Sequence, residues 1–456
     1  MAKYQKYAEY KDSGIEWADK LPAHWNSVHL KWISTIYAGG TPSKTIESYW
    51  ENGTVPWINS GAVNQTYILE PSTYITKTAY ENSSAKWIPK KALVMALAGQ
   101  GKTKGMVAQL GIDTTCNQSM GAIIPNDLSY ARYLFWWITS NYQNIRNMAG
   151  GDLRDGLNLE HLGNMNCPLP TYEETQKIAN FLDHETAKID TLIAKQEKLI
   201  ELLKEKRQAV ISHAVTKGLN TDVAMKDSGV EWLGQVPEHW SVAKIKHLSK
   251  IISKGTTPTT MGGDFVFEGI RFLKAENIGK KPIVNSSPEF FITENVDAQL
   301  ARSRLQEHDV LVIIAGATTG LSSVLQKELL PANTNQAVSF IRPKETEYAK
   351  WISYWLSTHF AQSLIWMGAV QAAQPNLSME NLGNIDITLP SVEEIKTTLD
   401  FIDTVLLKID DLIEKNIKAI DFMQERRTAL ISSAVTGKID VRNWQHPNEA
   451  KKGLSS

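Results

Sequence analysis

Cysteine is nearly missing from this chain of 456 residues. The two present, Cys116 and Cys167, are too few for a disulfide framework and have no Cys-x-x-Cys or Cys/His ligand spacing. That scarcity fits a reducing cytoplasm. Long apolar runs are missing too. None reaches the 18 or so residues of a membrane-spanning helix, and Met1-Ala-Lys-Tyr-Gln-Lys-Tyr7 lacks the apolar stretch of a signal peptide. Neither sign of charge dominates, since the net charge is −1. Catalytic signatures are equally scarce. There is no metal-ligand cluster and no nucleophile elbow. Nor is there an Asn/Asp-Pro-Pro-aromatic loop of the kind that holds a flipped base for adenine methylation.

What the chain does have is a duplication. Tyr10-Lys-Asp-Ser-Gly-Ile-Glu-Trp17 returns as Met225-Lys-Asp-Ser-Gly-Val-Glu-Trp232, and Leu21-Pro-Ala-His-Trp25 as Val236-Pro-Glu-His-Trp240. The segment Thr171–Gly218 realigns with Ser391–Lys438 at a shift of 220, with 20 of 48 positions identical. Between these landmarks each half holds roughly 130 residues that match far less well, a repeat too long for a solenoid, whose period is about 20–50 residues. Like frames with unlike contents predict a two-fold scaffold holding two different readers. Residues 26–156 carry 11 Lys+Arg against 8 Asp+Glu, and residues 241–376 carry 14 against 11. Both variable segments are thus mildly basic, a weak footprint for a nucleic-acid partner.

The frame contains two long helices. From Glu173 to Ser212 there is no Gly or Pro, and apolar residues recur at Ile178, Leu182, Ile189, Leu192, Leu199, Leu203 and Val210. The steps from Leu182 onward form a heptad seam. The second copy places Ile402, Ile409, Leu412, Ala419, Met423 and Leu430 in the same register. Pro170 and Pro390 precede the helices and Gly218 and Gly437 follow them, as start and stop signals should. A seam about 60 Å long, at 1.5 Å per residue, requires a partner, and the other copy is the economical one. The expected fold class is α+β: two α/β domains joined by two long antiparallel helices in a coiled coil, with a pseudo-two-fold internal repeat.

Each variable segment opens with a Gly/Thr/Pro turn, Ala38-Gly-Gly-Thr-Pro-Ser-Lys44 or Ser253-Lys-Gly-Thr-Thr-Pro-Thr259. Short strands follow, Val55–Ile58 and Ile270–Leu273, then an apolar strand ending in glycine, Ala92–Gly99 and Val310–Gly316. Asn117-Gln118 and Asn335-Gln336 each start another strand, and Trp-rich helices are expected over Tyr130–Asn147 and Tyr348–Met367. One motif suggests nucleotide chemistry. Gly99-Gln-Gly-Lys-Thr103 follows an apolar strand like the end of a P-loop, but Ala96 stands where the first glycine is needed and Gly105–Leu110 reads as strand rather than helix. His24 and His239, each between Pro-x and Trp, read as packed, hydrogen-bonded frame residues.

Taken together, the residues resemble the specificity subunit of type I restriction-modification enzymes. The resemblance rests on Lys-Asp-Ser-Gly-(Ile/Val)-Glu-Trp with Pro-x-His-Trp, the Gly/Thr turns, and Asn-Gln before a strand. Its strongest part is Leu169-Pro-x-x-Glu-Glu, Phe181-Leu-Asp, Ile189-Asp-x-Leu-Ile193, Glu205-x-Arg-x-Ala209 and Ala214-Val-Thr216, with their second copies. The duplicated order covers nearly the whole chain, leaving out the tail Asp440–Ser456. The resemblance implies frame segments at 1–25 and 221–240, target-recognition domains at 26–168 and 241–388, helical repeats at 169–220 and 389–440, and a tail at 441–456. It also implies double-stranded DNA as a partner, with two methyltransferase subunits and two restriction subunits. S-adenosylmethionine, ATP and magnesium would act on those partners, and none would be bound by this chain.

Candidate DNA contacts are polar residues near turns. In the first domain they are Thr41, Ser43, Lys44, Asn59, Gln100, Lys102, Lys104, Asn117, Gln118 and Arg154. In the second they are Lys254, Thr256, Thr257, Lys274, Glu276, Asn277, Gln371 and Gln374. The threonines and Ser43 suit phosphates, which position without specifying; the amides and charged groups suit base edges in the major groove. Phe181, Phe401, Trp17 and Trp232 are candidate anchors near the methyltransferase contacts. Two other classes stay open: a nucleotide-dependent enzyme using Gly101-Lys102-Thr103, and a structural coiled-coil adaptor.

Overall fold

The computed structural model describes residues 4–99, 101–148, 156–369 and 376–447. No helix among them is long and apolar enough to cross a membrane. The chain forms two compact units that do not follow its linear order: residues 1–196 with 418–456, and residues 197–417. Each unit contains a globular domain, the first half of one long helix and the second half of the other.

The long helices are Tyr172–Lys217, the central helix, and Val392–Val435, the C-terminal helix. Thr171 and Ser391 start them: the Thr171 hydroxyl accepts from Glu174 N–H (3.4 Å) and that of Ser391 from Glu394 N–H (3.2 Å). Glu174 returns the bond by accepting from Thr171 N–H (3.2 Å), a capping box that satisfies two otherwise orphaned donors. Gly218 and Gly437 end the helices in the left-handed region (φ 76° and 68°), where a Cβ costs energy. The heptad seam is buried only in part. Ile178, Leu182, Ile189, Ile402, Ile409 and Leu430 are buried, whereas Leu192, Leu199 and Leu412 are 41–49% exposed. All of these buried positions but Ile409 lie where helix and globular domain share a core.

The duplicated frame motifs tie these helix ends together. In the first unit Tyr10–Ile15 pairs antiparallel with Ala18–Pro22, which delivers His24 and Trp25 to the start of the central helix. His24 Nε2 lies 2.9 Å from Glu174 Oε1, and Trp25 Nε1–H donates to Glu174 Oε2 at 3.1 Å. Burial pushes the Glu174 carboxyl up, but the hydrogen bonds from His24, Trp25 and Thr171 outweigh it and leave the group below the usual glutamate range. The same segment packs on the end of the other helix. A Cβ on Gly437 would sit 2.4 Å from Pro22 Cγ, and Tyr10 and Tyr133 hydroxyls donate to the carbonyls of Gly437 and Val435 (both 2.9 Å).

The second unit repeats this with its own residues. His239 Nε2 lies 3.0 Å from Glu394, Trp240 packs against Gly218, and Thr388 Oγ1–H caps the Val215 carbonyl at 2.6 Å. The frame tryptophans Trp25 and Trp240 are thus fully buried; Trp25 bridges the start of the central helix and the end of the C-terminal one, and Trp240 packs on the end of the central helix. Burying a large apolar side chain contributes about 1.5–3 kcal/mol.

In the first domain a five-stranded sheet runs Ser34–Ala38, Met120–Pro125, Leu93–Ala96, Val107–Leu110, Tyr67–Ile68, beside a three-stranded sheet of Thr115–Cys116, Val55–Ile58 and Thr73–Ile75. The second domain has Ser249–Lys254, Val338–Pro343, Val310–Ile313 and Ser322–Val324 in one sheet, and Phe265–Val266, Phe291–Ile292, Ile270–Leu273 and Ala332–Thr334 in the other. The Trp-rich helices are each broken in two, at Asn141 and at Ser357-Thr358. Asn141 explains the first break, because its side-chain amide donates to the Trp137 carbonyl (2.9 Å) and ends the turn there.

The Phe-x-Asp part of the repeat fastens these helices to the frame. Asp183 accepts from Arg132 (2.7 Å) and Trp136 Nε1–H (2.9 Å), and its counterpart Asp403 accepts from Lys350 (2.7 Å) and the Tyr354 hydroxyl (2.5 Å).

Candidate nucleic-acid interface

In the first domain the Gly39-Gly40 turn lies against the segment that precedes the Met120–Pro125 strand. Gly39 N–H donates to Met120 O (3.1 Å) and Gly40 N–H to Cys116 O (2.8 Å). A Cβ on Gly39 would fall 2.2 Å from Cys116 O, and one on Gly40 2.3 Å from Ala85 N, so only glycine fits. The turn carries Thr41 onto Gln118, whose side-chain oxygen accepts from the Thr41 hydroxyl. Trp57 Nε1–H donates to Gly40 O (3.0 Å) and Trp50 Nε1–H to Ser43 O (3.0 Å), and the two indoles meet edge to face at 5.2 Å.

The result is a cleft of about 780 Å³. Thr41, Lys44, Asn59, Asn117 and Gln118, five of the candidates chosen from sequence, line it together. Asn59 Oδ1 accepts from Gly61 N–H (2.9 Å), capping a short 3-10 turn. Asn117 Oδ1 is buried with no hydrogen-bond donor. Glu47, Trp50 and Glu51 also line the cleft and were not anticipated.

The second domain rebuilds the same corner with different chemistry. A Cβ on Gly255 would sit 1.8 Å from Thr334 O, and Thr256 N–H donates to that carbonyl at 3.2 Å. At a shift of 215, Thr256 stands for Thr41, the edge-to-face pair Phe265 and Phe272 (5.5 Å) for Trp50 and Trp57, and Lys274 for Asn59. Lys274 Nζ lies 3.5 Å from the Phe290 ring centroid and 4.1 Å from that of Phe265, a cation–π seat. Asn335 and Gln336 occupy the places of Asn117 and Gln118 before the paired strand, and Gln336 is exposed. Both were missing from the candidate contacts, although the repeated Asn-Gln pair was the signal for them.

The remaining candidates have other placements. Ser43 is exposed with its hydroxyl 2.8 Å from that of Thr45; Lys254 and Thr257 are half-buried and Glu276 is exposed. Asn277 is wholly buried, with its side chain bonded to Lys274 N–H (3.0 Å), Asn285 O (3.1 Å) and Pro288 O (2.8 Å). It clamps a loop and leaves nothing for a base. Lys104 is only 5% exposed. Lys102 is exposed but lines a separate hollow with Trp136, Tyr142 and Arg427. Gln100, Arg154, Gln371 and Gln374 lie outside the described residues.

The geometry gives no support to the nucleotide-site alternative. Leu93–Ala96 pairs antiparallel with Val107–Leu110. Gly101-Lys102-Thr103 therefore sits in a hairpin loop, with its carbonyls tied to Tyr142 and Arg146. No helix follows whose N-terminus could meet a phosphate. Both cysteines are buried, and burial pushes their thiols up to about 12, far from a reactive thiolate. Among the described residues no group of three or more His, Cys, Asp or Glu is placed to hold a metal ion.

One glycine–threonine corner with an edge-to-face aromatic pair thus recurs in both domains with unlike side chains around it, and in the first domain it lines a cleft. The family model for the type I restriction modification DNA specificity domain matches residues 22–202 and 237–421. The chain belongs to that family and carries its domain twice, as the sequence resemblance implied.

It is 27% identical over 232 residues to the EcoR124I/EcoR124II specificity subunit of Escherichia coli, covering 50% of this chain and 51% of that one. Against the EcoKI specificity subunit of Escherichia coli strain K12 it is 22% identical over 449 residues, covering 94% and 92%. The chain spans 51%, 60% and 66% of the length of three curated relatives it matches. In fold it is similar to a chain from a structure described as "Structural basis underlying complex assembly and conformational transition of the type I R-M system". The TM-score there is 0.72 at 16% identity, over 92% of this chain and 99% of that one.

Proposed function

We propose that this chain is the DNA-reading subunit of a type I restriction-modification complex and selects a bipartite, asymmetric site. The observation that carries the reading is the repeated corner, which lines a cleft in the first domain. One backbone corner, built twice from glycine, threonine and an aromatic pair, presents Asn59, Lys44 and Gln118 in one domain and Lys274 and Gln336 in the other. Asn and Gln suit adenine, Lys suits guanine, and carboxylates such as Glu47 and Glu51 suit the cytosine amine. Thr41, Ser43, Thr256 and Thr257 would hold phosphates and set the register.

Two methyltransferase subunits would dock on the frame, and two restriction subunits would join for cleavage. S-adenosylmethionine, ATP and magnesium would serve on those partners. The hairpin at Lys102 and the buried thiols support leaving the chemistry to them. Sequencing the methylome of cells with and without this chain tests the reading. The expected result is one motif of two different half-sites separated by unread bases. A continuous or palindromic motif overturns it.

A further inference from the structure

Lys274 is held at both ends. Its backbone leaves the strand Ile270–Leu273 and enters a 3-10 turn, Ala275–Asn277. The buried Asn277 side chain accepts from Lys274 N–H (3.0 Å) and donates to Asn285 O (3.1 Å) and Pro288 O (2.8 Å). One side chain therefore ties the turn that bears Lys274 to the segment that leads into Phe290. Phe272 N–H completes the clamp by donating to Phe290 O at 2.7 Å. At the other end, the Lys274 ammonium lies 3.5 Å from the Phe290 ring centroid and 4.1 Å from that of Phe265.

The seat changes what a lysine can do. On its flexible four-carbon stem a lysine is a mobile point charge, which selects poorly among neighbouring acceptors. The clamp removes much of that freedom before DNA arrives. A carboxylate partner would also fix the ammonium, but it would occupy the hydrogens and cancel the charge. Ring faces attract the cation and leave its N–H groups to donate to a ligand. The equivalent residue of the first domain reaches the same end differently: Asn59 commits its Oδ1 to Gly61 N–H (2.9 Å), which leaves its amide N–H groups to donate.

We propose that Lys274 reads a guanine in the half-site of the second domain, and that Phe265 and Phe290 are its positioning residues. This rests on the function proposed above. In the major groove guanine offers two adjacent acceptors, N7 and O6. Adenine sets an amine beside its N7, cytosine presents an amine, and thymine has one acceptor beside a methyl group. A fixed cation with free donors therefore matches guanine best. A phosphate oxygen would also accept, but a phosphate contact is blind to sequence and needs no clamp.

The test uses full chains assembled with the cognate methyltransferase subunit, with methylation sequenced on a randomised DNA library. The wild-type complex is expected to require a guanine in the second half-site. Lys274→Met keeps the stem and loses the charge. Guanine selection at that position should fall about tenfold, with the first half-site unchanged. Phe290→Leu removes one ring, and Phe265→Leu removes the other at an exposed position. Each should relax the same position about threefold, whereas Phe290→Tyr, which keeps a ring face, should hold it. A second half-site without guanine overturns the base contact, and so does a Lys274→Met complex that weakens equally on all sequences. Selection that falls with Lys274→Met and survives both leucine variants overturns the positioning role. A wild-type complex with no defined motif overturns the DNA-reading function itself.

Discussion

Asp190 and Arg427 form a two-pronged ion pair between the long helices, with Nε to Oδ1 at 2.8 Å and Nη2 to Oδ2 at 3.2 Å. Shifting each number by 220 turns the pair into Asp410 and Arg207, which also pair, at 3.4 Å. The residue numbers sum to 617 both times (190 + 427 and 207 + 410), so each unit pairs its helix halves antiparallel in one register. Both pairs are partly exposed, and such bridges contribute only about 0–1 kcal/mol. Their consequence is register rather than stability.

Register makes the helices a ruler with a specific requirement. Four residues inserted after Lys195 alone leave the two ion pairs four positions out of step with each other. A matched insertion after Lys415 restores both. The matched variant is expected to fold and to lengthen the unread gap in the target by about two base pairs, from roughly 6 Å of added helix at 3.4 Å per base pair. The bases read should stay the same, and methylome sequencing checks both. Altered half-sites would show that the helices do more than set spacing.

Glu174 couples frame stability to pH. Its folded carboxyl sits below the ordinary range because of the bonds from His24, Trp25 and Thr171 that outweigh burial. The stabilisation is therefore fully present above the unfolded value of about 4.3 and is lost as pH falls through the lower folded value. Glu174→Gln should cost about 1–3 kcal/mol at neutral pH, and the gap to wild type should close in acid. Urea denaturation at a series of pH values measures this; a gap that widens in acid would be the wrong sign.

Lys102 lies in a hairpin, so Lys102→Ala should leave ATP turnover per assembled complex unchanged with saturating cognate DNA. If it touches a phosphate, the slope of log affinity against log salt falls by about 1. Lost ATP turnover under saturating DNA would restore the nucleotide-site reading.

The two corners should be separable. Gln118→Ala is expected to relax selection at one position of one half-site, by about 1–3 kcal/mol of discrimination, and Gln336→Ala at one position of the other. Methylomes of the single variants read this directly. Loss at both half-sites from either variant would mean that the corner is structural in both domains.

Much of the frame was legible before any coordinates. Helix starts and stops were marked by Pro170, Pro390, Gly218 and Gly437, whose backbone preferences act locally. The Gly/Thr turn and the Asn-Gln pair were visible as repeated motifs on either side of some 75 residues, and five first-domain candidates share one cleft. Asn277 and Lys104 were misplaced because burial depends on what packs above a residue, which its own turn does not encode. The broken Trp-rich helices escaped for a related reason: apolar periodicity continues across Asn141 while its side chain ends the turn.

By itself the sequence determined the duplication, the two helices with their ends, the mildly basic variable segments and the family. These are properties of local backbone preference and of repeated order, and they need no distant partner. Only the tertiary structure decided that Glu174 is the hub on which His24, Trp25 and the helix cap converge, and that Lys274, at the position equivalent to Asn59, sits against the Phe265 and Phe290 rings. It alone decided that Phe181 is covered while Phe401 is open. Those outcomes depend on which segments cross one another in space. Tyr4 and Trp444 reach Phe181 from two segments far apart in the chain, which no local preference could foretell.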